Sequence, residues 1–358
     1  MHKRLFIPGP VDVRPEALEK MATPQIGHRT KEATELQKSV SEKAAKLFQT
    51  ENTIILSTSS GTGLMEGAVR SFTKNRAAVF STGAFGDKFF KLCTGNGVPA
   101  DKYKVEAGKG ITVDYVKENL AKDDYDLITV QQNETSTGIQ NPIKEIGDFL
   151  KENYPDITYV VDAVSSMGGV DIKTDEWGVD VMITSTQKCI GLPSGMSIAS
   201  VSERAIEKAR SIENRGVYFD YVALYDKVKD KYQYTSTPSL SHMFALDYQL
   251  GYILEEEGME NRFKRHNEMA DTVRKFAEDY FELFVDEPDY RSNTVTCIKN
   301  TRNIDVADLN KQLAEKGFMI SNGYGDLKDK TFRIAHMADA QPEVLEELLN
   351  DIKKILGL

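Results

Sequence analysis

The sequence predicts an α/β protein, most of it a doubly wound and mostly parallel sheet, with a smaller α+β domain at the C-terminal end. Three observations carry this. Short runs rich in Val, Ile and Thr alternate with helical patterns through the first half of the chain. These runs end in polar residues and have little internal alternation, the pattern of parallel strands buried on both faces. A long helix-compatible tract from 239 to 280 then bridges to a stretch with strands and helices of its own.

In chain order, the strand-like runs are TIIL at 53–56, AAVF at 77–80, LITV at 127–130, YVV at 159–161 and VMIT at 181–184. Helical spacing predicts helices between them, over 63–72 and 143–154. The tract at 239–280 carries apolar residues at Phe244, Tyr248 and Tyr252, then becomes highly charged after EEEGME. Beyond it come strand-like TVTCI at 294–298, a helix over 305–317, and strand-like FMIS at 318–321 and TFRIAHM at 331–337. A last helix starts at Pro342, with Val344, Leu345, Leu348, Leu349, Ile352 and Ile355 along one stripe. The expected division is 1–258 for an N-terminal segment and large domain, and 259–358 for the small domain. No internal repeat or low-complexity segment interrupts this order.

At 358 residues the chain is long enough for a sizeable core, and 40% hydrophobic with 28% charged residues describes a globular protein. A net charge of -10 argues against nucleic-acid binding through a general basic field. Cys93, Cys189 and Cys297 are far apart and form no CxxC pair, so neither a disulfide framework nor a zinc site is expected, and a reducing compartment fits. The apolar run near the amino terminus is cut by Pro8 and is too short for a signal peptide. No apolar stretch approaches the roughly 18 residues of a membrane span, so a cytoplasmic location is expected.

Two strand-like runs each end at one ionisable residue, Asp162 and Lys188. Groups at the carboxyl ends of such strands can face each other across a crevice. That pairing suits pyridoxal phosphate: the amine forms a Schiff base with the aldehyde, and the carboxylate keeps the pyridine nitrogen protonated. Strand-end Asp and Lys also occur without a cofactor, so the pair alone does not decide. STSSGTG at 57–63 reads as a phosphate cradle at a helix amino terminus, or as a capped strand-to-helix turn. In NETSTG at 133–138, Thr135 could meet a ring oxygen and Gly138 permits a sharp turn, or the segment is a polar loop. Phe85 in TGAFGD could stack on a pyridine ring or belong to the core.

Further motifs lie in the same order: PGP at 8–10, GHR at 27–29, SSGT at 59–62, GAFG at 83–86, VDAVSSMGG at 161–169, STQK at 185–188, YTSTP at 234–238, RSNTVT at 291–296 and FRIAHM at 332–337. With these motifs the chain resembles the class V aminotransferases of fold type I, the alanine-glyoxylate and serine-pyruvate group, across nearly its whole length. The resemblance implies a large domain with a mostly parallel seven-stranded sheet, a small C-terminal domain, and pyridoxal 5'-phosphate as cofactor. It makes Lys188 the Schiff-base lysine and Asp162 the partner of the pyridine nitrogen, with Val164 on the ring face opposite Phe85. Ser60, Gly61, Thr62 and Gln187 would hold the phosphate, joined by Tyr234 and Thr237 of a second subunit, so a homodimer is implied. Thr135 would meet the ring oxygen. Arg333 would grip the substrate carboxylate, a task suited to a planar, bidentate guanidinium, with Gly9 also on the substrate side.

The reaction implied is transfer of an amino group from alanine or serine to glyoxylate or pyruvate, with Lys188 moving the α-proton and ping-pong kinetics. The run KCI at 188–190 also resembles 2-aminoethylphosphonate-pyruvate aminotransferases. A cysteine desulfurase needs a mobile nucleophilic cysteine, and Cys189 and Cys297 suit that poorly. His28 and His336 read as structural groups rather than bases, and Trp177 as core. Departures from the family pattern at Gln132, Asn133, Ser194, Ala335 and Ala338 leave the substrate side chain open.

Overall fold

The protein is described by a computed structural model over residues 2–358. In chain order its strands are β1 (Arg4–Phe6), β2 (Thr53–Ser57), β3 (Ala77–Ser81), β4 (Ala100–Lys104), β5 (Leu127–Gln131), β6 (Asn133–Glu134) and β7 (Ile139–Gln140). They continue with β8 (Thr158–Asp162), β9 (Val181–Ser185), β10 (Ser197–Val201), β11 (Glu282–Leu283), β12 (Val295–Lys299), β13 (Phe318–Asn322) and β14 (Thr331–Ala335).

Seven strands form the large sheet in the order β2-β10-β9-β8-β5-β3-β4, and β10 alone runs antiparallel to its neighbours. Successive side chains point to opposite faces, and both faces are covered. On β8, Tyr159 and Val161 join one apolar layer with Phe48, Phe80 and Leu246, while Val160 joins the other with Leu64, Val79 and Tyr221. That is why the central strands read as unbroken apolar runs. Because β5, β8 and β9 are parallel, Gln131, Asp162 and Ser185 all end on one edge of the sheet, where α/β proteins place their ligands.

The predicted strands and the two predicted helices of the first half are present within a residue or two at each end. Two strands of the large sheet escaped the sequence reading for physical reasons. β4, ADKYK, is an edge strand whose exposed positions carry charge, so its composition resembles a loop. β10, SIASV, is fully buried but has small residues and little apolar contrast.

The small sheet runs β1-β13-β14-β12-β11. The N-terminal strand therefore does not stay with the large sheet: β1 pairs in parallel with β13, and Phe6 packs against Phe318 with ring centroids 6.1 Å apart. Three residues carry no periodicity, and a partner more than three hundred positions away leaves no local trace. The long tract is also interrupted. A helix over Leu240–Gly251 passes into a wide turn at Tyr252–Glu257, and Gly258, at φ +79°, separates it from the helix Met259–Tyr280. No helix among the described residues is long and apolar enough to cross a membrane.

Candidate functional site

Asp162 closes β8 and is 3% exposed. Burial pushes its carboxyl up to about 7, because the charged form loses water; one backbone donor, Val164 N–H at 2.8 Å to Oδ1, opposes this, and Glu134 adds to it. Lys188 lies in the turn Thr186–Ile190 that follows β9, and its backbone leaves helical geometry there (φ -117°, ψ -134°). Burial pulls the Lys188 amine down to about 8, Arg333 pushes the same way, and Asp162 opposes it. The two residues lie at the carboxyl ends of the paired parallel neighbours β8 and β9.

Lys188 Nζ donates to the Pro8 carbonyl. Gly9, at φ +86°, lies against the same side chain: a Cβ there would sit 2.6 Å from Lys188 Cδ and 2.7 Å from Nζ. The positive φ favours glycine, and a larger residue would also displace the end of the Lys188 side chain. A lysine that titrates near 8 is about a tenth neutral at pH 7, several hundred times more than an ordinary lysine. Amine-reactive labelling of Lys188 in cofactor-free protein, followed by peptide mass spectrometry, is therefore expected to rise with pH and level off above about 8. An inflection near 10 would contradict this reading of the site.

A phosphate-sized anion has a cradle at the helix Gly61–Phe72. Ser60 precedes it without using its side chain as a cap, and Thr62 stands in the first turn. The first N–H groups of a helix lack partners inside it and favour negative charge. A Cβ on Gly61 would lie 2.7 Å from Val164 Cγ2, so glycine is what lets the loop after Asp162 reach this helix start. Ser185 Oγ and Gln187 Oε1 are buried without a protein partner. Unpaired buried polar atoms call for a ligand or water, and these residues fit pyridoxal phosphate.

The rest of the slot comes from distant segments. Phe85 lies in the first turn of the helix Ala84–Gly95, and Lys88 Nζ stands 4.8 Å from its ring centroid. Thr135 donates its hydroxyl proton to Ser165 Oγ at 2.8 Å, which leaves it an acceptor for other groups. Arg333, on β14 and 7% exposed, donates from Nε and Nη2 to the Asn322 carbonyl at 3.1 and 3.0 Å, and from Nη1 to the Thr135 carbonyl at 3.1 Å. Two N–H groups, one on each terminal nitrogen, stay free for a carboxylate.

Sequence reasoning gave Glu134 no role. It is fully buried, and burial raises its carboxyl; Oε2 accepts the Phe85 and Gly86 N–H groups at 2.9 and 3.0 Å, and Oε1 accepts the Ser136 N–H at 3.1 Å and its hydroxyl at 2.6 Å. It thereby joins Phe85 to the Thr135 loop. Its partners Phe85 and Gly86 lie nearly fifty residues earlier, and only the fold brings them together.

Tyr234 and Thr237 sit beside the end of β2, lining a small cavity with Ser57, Thr58 and Tyr218 of their own chain. The Tyr234 hydroxyl is engaged by Met243 Sδ at 2.8 Å, while Thr237 is exposed. Within one chain the structure does not bring these two to Ser60. His336 is buried, its Nε2 paired with Thr296 Oγ1 at 3.0 Å, and burial pushes it down to about 3. Trp177 packs, partly buried, against the core. Cys189 donates to the Ser165 carbonyl at 3.2 Å, Cys297 is buried in β12, and burial pushes both thiols up to about 11. Neither has the exposure or the thiolate character of a nucleophile.

Residues 16–326 match the family model described as aminotransferase class-V. An uncharacterized aminotransferase of Methanocaldococcus jannaschii is 40% identical over 353 residues, which covers 97% of this chain and 91% of that protein. The serine–glyoxylate aminotransferase of Arabidopsis thaliana is 27% identical, covering 98% of this chain and 90% of that one. Among solved structures, the alanine–glyoxylate aminotransferase of Nostoc sp. superposes with a TM-score of 0.93 at 25% identity, over 99% of this chain and 96% of that chain.

Proposed function

The chain belongs to the class V aminotransferases, and from that premise we propose that it moves the amino group of a small amino acid, alanine or serine, to glyoxylate or pyruvate. In this reading it is a cytoplasmic homodimer that uses pyridoxal 5'-phosphate. The observation that carries it is the buried Arg333, with two free N–H groups, in one site with a lysine of lowered pKa and a buried aspartate. Relatives named as serine–glyoxylate and alanine–glyoxylate aminotransferases support small donors and glyoxylate.

When bound, the cofactor would supply an electron-withdrawing ring beside the substrate α-carbon. The protein's own residues do the rest. Arg333 holds the α-carboxylate, which orients the α-hydrogen toward Lys188. The Lys188 amine would take that proton at Nζ and later give it back, acting first as base and then as acid. An amine that titrates near 8 is well matched to both directions of transfer. Asp162 would hold the ring nitrogen protonated, while Ser60, Gly61, Thr62 and Gln187 would hold the phosphate. Tyr234 and Thr237 of a second subunit would complete the phosphate site.

Arg333→Gln is expected to raise KM for the amino donor about a hundredfold, since two charge-assisted hydrogen bonds are worth together about 3 kcal/mol. Arg333→Lys should restore only part of it, because an ammonium cannot bind the carboxylate bidentately. An unchanged KM in both variants would remove Arg333 from the substrate site.

Which donor is used is settled by a panel of alanine, serine, aspartate and 2-aminoethylphosphonate against glyoxylate and pyruvate. Turnover fastest with alanine or serine supports the proposal. Turnover fastest with 2-aminoethylphosphonate overturns it in favour of the phosphonate reading, and sulfide release from cysteine faster than amino transfer would point to a lyase.

A further inference from the structure

Lys188 stands in a short turn, so the direction of its side chain depends on what holds the peptide groups around it. The Lys188 carbonyl accepts Gly191 N–H at 2.9 Å. The next two carbonyls are gripped by side chains from far along the chain: Arg262 Nη2 donates to Cys189 O at 2.7 Å, and Gln249 Nε2 donates to Ile190 O at 3.0 Å. Arg262 Nε donates to Gly168 O at 2.7 Å, on the loop that leaves Asp162. One carboxylate collects both donors, with Asp339 Oδ1 at 2.7 Å from Arg262 Nη1 and Oδ2 at 2.9 Å from Gln249 Nε2. Glu257 accepts from Arg262 at 2.6 Å and from Arg265 at 2.6 Å, so two arginines face two carboxylates.

Arg262 and Gln249 are 0% exposed. Buried ion networks of this sort add little net stability, and apolar replacements of similar volume are often as stable or more so. Their value here is directional: both donors end on the lysine turn, and Arg262 also ends on the aspartate loop. We propose that Arg262, Gln249 and Asp339 form a positioning clamp that sets Lys188 relative to Asp162. Asp339 lies four residues beyond β14, the strand that carries Arg333. The group that grips the substrate and the group that moves its proton are therefore referenced to the same segment, and proton transfer is sensitive to misplacement on the ångström scale.

The inference rests on the reading of Lys188 given above. It is tested in the cofactor-loaded enzyme with Gln249→Met, an uncharged change of similar length, and Arg262→Lys, which keeps the charge but loses the fork. Both variants are expected to lower kcat about tenfold or more while KM for the amino donor, set by Arg333, stays within about twofold. The pH midpoint of the visible absorbance of the lysine-linked cofactor should also shift by about half a unit or more. Wild-type kcat and midpoint in Gln249→Met would overturn the clamp, even if that variant melts earlier, and Gln249→Met decides alone if Arg262→Lys does not fold. Absence of visible absorbance in the wild-type protein would instead overturn the reading of Lys188.

Discussion

Lys188→Ala is expected to abolish the visible absorbance that covalently held cofactor gives the protein, and to lower kcat/KM at least about 10⁴-fold. On the proposed function the residue would have two separable roles, holding the cofactor by its amine and shuttling the proton; positioned acid–base groups alone contribute about 10² to 10⁴ in rate. The fold should survive, because the amine's hydrogen bond goes to the Pro8 carbonyl and the turn around it is held through the carbonyls of Cys189 and Ile190. Lys188→Arg should be equally inactive despite its charge, since a guanidinium is neither a nucleophile nor a base near neutral pH. The measurement is an absorbance scan with single-turnover kinetics on protein whose melting temperature is unchanged. Retained absorbance, or activity above about one per cent of wild type, would falsify the assignment of Lys188.

Asp162 and Lys188 are legible in the sequence because each ends an apolar run, and parallel strands deliver their carboxyl ends to one edge. The residues that orient them are not. Arg262 reaches Gly168 and Cys189 from far along the chain, and as a charged residue on a highly charged helix it looks like any solvated one. Glu134 lies inside a motif that was read for its threonine, yet its hydrogen bonds to Phe85 and Gly86 depend on a helix start nearly fifty residues earlier. Periodicity reports which face of an element is buried. It carries no information on which distant backbone groups a polar side chain will find, and that is the part of the site the fold supplies. β1 is the same lesson at the level of topology, a short strand defined wholly by its partner.

Asp162→Asn is expected to lower kcat about 10² to 10³-fold while Lys188 still holds the cofactor. Asparagine keeps the shape and an oxygen for the Val164 N–H, so what is lost is the charge. Removing one member of a buried charged pair costs about 2 to 5 kcal/mol, a span that includes the about 3 to 4 kcal/mol this range of rate requires. Asp162→Glu restores the charge but forces an extra methylene into a nearly sealed position, so it should fall between wild type and Asp162→Asn. The cofactor-free protein gives an independent check. Its Asp162 titrates at about 7 rather than near 4, so its contribution to stability is complete below about 4 and is lost as pH rises through about 7. Asparagine has no such titration. Melting temperatures of the two cofactor-free proteins should therefore differ little at pH 4, with Asp162→Asn becoming progressively the more stable as pH rises to 8. A difference that stays constant across this range would mean that Asp162 is ionised throughout, and the upward shift of its carboxyl by burial would have to be abandoned.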